Sequence, residues 1–360
     1  MKIACFVNSF NAINWGGQGT SEGIRHLVMK EYPTAEFCPL DLPALPLKNF
    51  RSLRNIHDRR LIRAILRGDR GGVEDSLGHL GIDMGIFEPY SHICFNGEGA
   101  IHSGSGHLAR LLGILFLLQD RKVIAAINQT IDLARTPAKE KALVAVYSKL
   151  PFVSVREPVS LDYVRSAGLK NARLIPDAVY GLPKLTGEEI ASITKSYDLP
   201  DKFVAVTGSS ALKRNRHSLR RAARLLQAIR SITGLEIVFL ANAKTDIWIA
   251  DRLSGRFGFK IIKPPVRHRD ASAIIASAQL MIGGRQHPNI FAFIYRVPYI
   301  PLKGNTHKND GVAQLQKYPI APLDWECPMH QLEDACDVAN RLSMDWTLPE
   351  VRIDNYRIFG

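Results

Sequence analysis

The stretch Met281 to Gly311, MIGGRQHPNIFAFIYRVPYIPLKGNTHKNDG, limits what the chain can fold into more than any other. An apolar run, AQLM, leads into a Gly283–Gly284 turn, after which Arg285, Gln286 and His287 open an apolar segment of helical length from Pro288 to Tyr295. A second strand, Val297 to Leu302, follows, and then His307 and Lys308. Strand, turn, helix and strand make a βαβ unit. Polar groups between the carboxyl end of such a strand and the helix N-terminus face the ligand crevice of an open α/β sheet. Arg285, His287 and Lys308 are therefore expected at one edge.

The rest of the chain repeats that alternation. Ile3 to Val7 reads as a buried strand, Asn14-Trp15-Gly16-Gly17-Gln18-Gly19 as a loop, and Thr20 or Ser21 as the cap of a helix carrying Ile24, Leu27 and Val28. The loop lacks the Walker lysine and the full GxGxxG spacing, so it reads as a strand-loop-helix opening rather than a nucleotide motif. Ile93 to Asn96 and Lys122 to Ile127 read as strands, with Glu98, His102 and Asn128 just beyond their ends, where binding groups gather. His102 alone reads first as a hydrogen-bonded structural histidine. Arg156 directly follows the strand Phe152 to Val155. That position favours ligand contact over an ion pair with Glu157 or another surface acid.

Leu182 to Pro200, punctuated by Pro183, Gly187 and Pro200, reads as the connection between halves, after which the pattern restarts with the strand Phe203 to Thr207 and the loop Gly208 to His217. Lys213, Arg214 and Arg216 in that loop read equally as an anion clamp or as a solvated basic loop. The expected organisation is α/β: two Rossmann-like, doubly wound domains facing a cleft, 1–185 and 186–325, with a helical tail over 326–360.

A formal net charge of +13 predicts an anionic partner: nucleic acid, a membrane surface or a phosphorylated substrate. Cys5, Cys38, Cys94, Cys327 and Cys336 are too scattered for a disulfide framework or a metal site, so reduced thiols in a cytoplasmic setting are expected. The apolar run in MKIACFVNSF is too short for a signal peptide, and Leu111 to Leu118 is too short to span a bilayer. Arg51 to Arg70 is arginine-dense, with Leu53, Ile56, Ile62, Ile65 and Leu66 near helical spacing. It reads first as a core-packed helix with a solvated arginine face, and as a helix lying on an anionic bilayer only if the substrate is lipid-linked.

In this order, NWGGQGTSEGI, FNGEGAIH, NQTI, VSVREPVSLDYVRSAG, IPDAVY, MIGGRQHPNIFAFIYRVPYIPL and HKNDG together resemble the polysaccharide pyruvyltransferase family. The resemblance implies a GT-B-like fold with the active site between two Rossmann-like domains. It also implies transfer of the enolpyruvyl unit of phosphoenolpyruvate to a sugar as a pyruvate ketal, with no metal and no cofactor. By position, Arg285 and His287 match the family's Arg-x-His pair, implying a donor-anion ligand and a general acid. Arg156 matches the arginine of the VSVRE motif and Lys308 the lysine downstream of the Arg-x-His helix, both implied as phosphoenolpyruvate ligands. The chain departs from the family in two places. Asn96-Gly97-Glu98-Gly99 stands where a run of three glycines is usual, and Gly17-Gln18 where Asp is common.

The donor carries a carboxylate and a phosphate, so its site needs fixed cations; arginine suits best because its fork binds either group bidentately. His287 suits proton delivery, Glu98 is the best base for the attacking hydroxyl, and Asp177 is second. Gly17, Gln18, Asn96, Lys213 and Arg214 are the candidates for the acceptor and its anions. A lipid-diphosphate-linked oligosaccharide acceptor, as in bacterial exopolysaccharide biosynthesis, would give the basic surplus a use at the inner face of the membrane. Two other readings remain: a GT-B glycosyltransferase using a nucleotide sugar, and a non-catalytic polyanion binder. Against nucleic acid stand the lack of an RRM, zinc-finger or helix-turn-helix signature and the few aromatics beside the basic runs.

Overall fold

Six strands pair side by side and in parallel in the first half of the chain: β1 (Lys2–Phe6), β2 (Glu36–Leu40), β3 (His92–His102), β4 (Val123–Asp132), β5 (Phe152–Val155) and β6 (Ala172–Leu174). Their order is β2-β1-β3-β4-β5-β6. The helices between them are α1 (Trp15–Glu31), α2 (Arg51–Arg67), α3 (Arg70–His79), α4 (Leu108–Leu118), α5 (Pro137–Tyr147) and α6 (Pro158–Ser166). The second half forms a parallel sheet ordered β11-β10-β7-β8-β9, from β7 (Phe203–Ser209), β8 (Glu236–Leu240), β9 (Lys260–Ile262), β10 (Leu280–Gly284) and β11 (Tyr299–Pro301). Its helices are α7 (Gly187–Lys195), α8 (Arg216–Thr233), α9 (Lys244–Phe257), α10 (His268–Ala276), α11 (Gln286–Ile294), α12 (Lys308–Leu315) and α13 (Met329–Met344).

This computed structural model describes residues 1–41, 51–354 and 356–360, with side chains for all of these but 51–55, so Leu53 lies outside the described side chains. The chain divides into two compact units, Met1–Asn8 with Ile24–Asp177 and Ile353–Gly360, and Ser9–Gly23 with Ala178–Arg352. Each is a doubly wound, Rossmann-like α/β unit. The seam falls at Asp177/Ala178 rather than 185/186, the first turns of α1 belong to the second unit, and the last residues return to the first.

Local chemistry explains most element ends. Thr186 and Glu189 form a capping box at α7, Asn215 caps α8 through Ser218 N–H, and Glu157 caps α6 ahead of Pro158. α8 stops at Gly234, whose φ of 63° is left-handed. α4, LARLLGILFLL, is apolar apart from Arg110, whose guanidinium donates to the Gly106 carbonyl, and every residue of it is buried in the first unit.

Three expectations give way to tertiary structure. The glycine stretch after β1 is not a loop. Asn14 Oδ1 accepts from the N–H groups of Gly16 and Gly17, so the helix starts at Trp15 and Thr20 lies inside it. β3 and β4 do not end at Asn96 and Ile127 but run on together through shifts of register, with Glu98 at φ 31° and Asn128 at φ 55°. Glu98 and Asn128 therefore lie within strands, and only His102 ends one. α2 buries Leu61, Ile62, Ala64 and Ile65 against its neighbours, but Ile56 and Leu66 are exposed. Among the described residues no helix is long and apolar enough to cross a membrane.

Candidate functional site

In the second unit the strand order reverses between β7 and β10, and an open α/β sheet takes its ligand at the carboxyl ends of the strands flanking such a reversal. Gly283 and Gly284 are the last residues of β10 rather than a turn. They are glycines because the two strands converge there. A Cβ on Gly283 would overlap Thr207 Oγ1, and one on Gly284 would come within 2.6 Å of Ser209.

Arg285 follows as the N-cap residue of α11, but its side chain makes no cap bond. It reaches α9 instead, donating from Nε at 3.2 Å and Nη2 at 2.8 Å to the carboxylate of Asp246. Asp246 is wholly buried and also accepts the Asn242 backbone N–H at 3.1 Å. These bonds use one edge of the planar guanidinium and turn the Nη1 edge the other way. The Arg285 side chain is 15% exposed.

His287, second residue of α11, is 5% exposed. Its Nε2 lies 2.8 Å from Thr20 Oγ1, and the ring packs so closely under Gly16 that a Cβ there would stand 2.5 Å from Nδ1. The first turns of α1 are thus a wall of this site. Trp15 continues that wall, its ring centroid 6.0 Å from that of Phe291 on α11.

Lys308 opens α12 and donates from Nζ to Asn305 Oδ1 at 3.3 Å. The same oxygen accepts the Ser210 hydroxyl at 2.7 Å, tying the loops after β7 and β11 together. A Cβ on Gly304 would stand 3.2 Å from Lys308 Cε and 3.7 Å from the Gly284 carbonyl oxygen, so the lysine stem lies beside the end of β10. Arg285, His287 and Lys308 do gather around the carboxyl ends of β7, β10 and β11. Lys213 and Arg214 occupy the exposed loop after β7, and Gly17 and Gln18 are helical, with Gln18 Nε2 donating to the Ala12 carbonyl at 2.6 Å.

In the first unit the order reverses between β1 and β3. The β1–β3 ladder ends at Phe6 and Phe95, so Asn96 is the first residue past it. Asn96 is buried, its Oδ1 lies 3.5 Å from Asn128 Nδ2, and its own Nδ2 has no hydrogen-bond partner. A buried amide N–H left unpaired costs about 1–3 kcal/mol, which marks this point as a place where a ligand acceptor would be welcome. Glu98 is half-buried, opposite Gln129.

Arg156 is 2% exposed, with Nη1 2.8 Å from Asp177 and Nε 3.0 Å from Thr130 Oγ1. The ion pair that position made the weaker reading is present, with Asp177 rather than Glu157, because Glu157 turns back to cap α6. Asp177, the second candidate base, has its carboxylate committed to that pair. Tyr356 of the C-terminal segment is buried beside Asp177, Cys5 and Cys94, and burial pushes its hydroxyl pKa well up.

Asp246, Thr20, Ser210 and Asn305 escaped sequence reasoning as site residues. An acid in the first turn of a helix is the ordinary partner of the helix dipole, so Asp246 carried no signal of its own.

A family model described as polysaccharide pyruvyl transferase matches residues 21–305. No curated protein sequence matches the chain. Solved structures share the fold at low identity. UDP-GlcNAc 2-epimerase from Methanocaldococcus jannaschii, in complex with UDP-GlcNAc and UDP, is 13% identical, with 99% of this chain and 97% of that one covered and a TM-score of 0.61. The Neisseria meningitidis enzyme bound to UDP-GlcNAc is 12% identical over 100% and 96%, TM-score 0.59, and the Rickettsia bellii enzyme 11% over 97% and 90%, TM-score 0.58. These likenesses place the fold in the GT-B-like class.

Proposed function

Because the chain belongs to the polysaccharide pyruvyl transferase family and is therefore a transferase, we propose that it moves the enolpyruvyl unit of phosphoenolpyruvate onto two hydroxyls of a saccharide as a pyruvate ketal. The observation that carries this reading is the Arg285-x-His287 pair, held by Asp246 and Thr20 at the reversal of strand order in the second unit and inside the matched residues. Arg285 and Lys308 supply fixed cations for the donor's carboxylate and phosphate. Arg156, already paired with Asp177, is the weaker donor ligand and serves first to hold its own site together.

In this reading one acceptor hydroxyl bonds to C2 of the donor while His287 delivers a proton to C3, turning the methylene into a methyl. The second hydroxyl then displaces phosphate from C2, and phosphate leaves with the electrons of the C–O bond. Glu98 is the proposed base for the acceptor. Asn96, Gly17, Gln18, Lys213 and Arg214 are proposed to contact the acceptor, whose link to a lipid diphosphate would suit the chain's +13 charge. General acid catalysis of this kind is worth ~10²–10⁴-fold.

The test is calorimetric titration with phosphoenolpyruvate, alongside Arg285→Ala and a parallel titration with UDP-GlcNAc. Phosphoenolpyruvate binding that disappears in Arg285→Ala supports the donor. Binding of UDP-GlcNAc alone would move the reading to a nucleotide-sugar enzyme of the same fold.

A further inference from the structure

The inner face of α2 packs in the first core, but its outer face has no such use. Ile56, Arg59, Arg60, Arg63, Leu66 and Arg67 fall at helical spacings that put them on one side. All six are exposed, Ile56 at 48% and Leu66 at 44%, which makes them two of the few large apolar side chains that face solvent among the described residues. Arg59, Arg63 and Arg67 stand one turn apart, an arrangement that costs a helix stability through like-charge repulsion. Arg67 pairs with Asp69 at 3.8 Å, between groups 71% and 45% exposed, a contact worth little.

We propose that this outer face of α2 is a docking surface for an anionic lipid bilayer. Arginine forks match lipid phosphates, and the two aliphatic side chains project from the same face to enter the boundary between headgroups and acyl chains. A nucleic acid would use the arginines but leave Ile56 and Leu66 without a role, and no aromatic side chain stands on this face to stack a base. The surface lies on the first unit and does not depend on which donor the enzyme uses.

The experiment is co-sedimentation of the full chain with vesicles of phosphatidylcholine alone and of phosphatidylcholine mixed with phosphatidylglycerol. Each arginine near the surface adds about fivefold to partitioning. The expected result is binding to the anionic vesicles that weakens with salt, with at least a tenfold loss in R59E/R63E/R67E and a smaller loss in I56S/L66S. Circular dichroism melting of both variants should match the wild type. Equal binding to both vesicle types, no binding at all, or a charge-reversal variant that pellets like the wild type would overturn the proposal. So would binding of duplex DNA, at the same salt, by a chain that ignores vesicles. Because the readout is sedimentation, failure here leaves the pyruvyl-transfer reading untouched, and the reverse also holds.

Discussion

Asp246 holds Arg285 by two bonds to one carboxylate, at 3.2 and 2.8 Å, from a position where Asp246 itself sees no solvent. A residue on α9 thereby fixes the direction of a cation at the start of α11. Asp246→Ala strands a largely buried guanidinium and frees it to rotate. The expected outcome is a stability loss of roughly 2–3 kcal/mol in denaturant melts and a donor affinity that falls at least several-fold by calorimetry. Unchanged affinity in a folded variant would remove Asp246 from the site.

Thr20 Oγ1 at 2.8 Å from His287 Nε2 fixes the ring's orientation from α1. Thr20→Val keeps the shape and deletes the hydroxyl. If His287 delivers the proton, kcat should drop by about tenfold or more with donor KM nearly unchanged, and the pH profile should move. A change confined to KM would argue that the pair serves binding alone.

Gly16 leaves no room above the His287 ring. Gly16→Ala inserts one methyl 2.5 Å from Nδ1, so either α1 or the ring must shift, at about 1–3 kcal/mol. The measurement is thermal stability together with turnover, and both should fall. Gly78→Ala, in α3, where an added Cβ meets nothing within 4 Å, is the control: turnover should be unchanged and stability should hold or rise by up to about 1 kcal/mol.

Arg156 and Asp177 form a buried pair, 2% and 1% exposed. Breaking it from one side, with R156M or D177N, should cost about 3–5 kcal/mol, because the remaining group is left charged or polar without its partner. Replacing both by apolar residues should recover much of that loss in the same denaturant titration.

His268, beside Gly19 and between Arg267 and Arg269, has its pKa lowered to about 4, chiefly by burial and then by Arg269. The folded state therefore keeps the ring neutral while the unfolded chain binds a proton near pH 6.5. Its contribution to stability is complete above about pH 6.5 and is lost progressively as pH falls toward 4, by up to ~2–3 kcal/mol. H268Q should flatten that part of the stability curve between pH 6.5 and 4.

Much of this was legible in the residue order. Periodicity gave most strands and helices within a few residues, and the strand-to-helix junctions at Arg156, Arg285 and Lys308 picked out the cations near the ends of β5, β10 and β11. What the order concealed were relationships between distant segments. Asn14 captures the N–H groups of its own glycine stretch, which turns an apparent loop into a helix. Positive-φ residues let β3 and β4 continue past the points where composition suggests they stop.

The sequence by itself determined the class of fold and the family, because hydrophobic period, capping residues and turn residues act over a few neighbours and are written locally. Only the tertiary structure decided which partner each charged side chain takes. Arg285 meets Asp246, Arg156 meets Asp177 rather than adjacent Glu157, and His287 meets Thr20 from far along the chain. A buried ion or imidazole must find its partner wherever the packed elements bring one, since leaving it unpaired costs more than any local preference supplies.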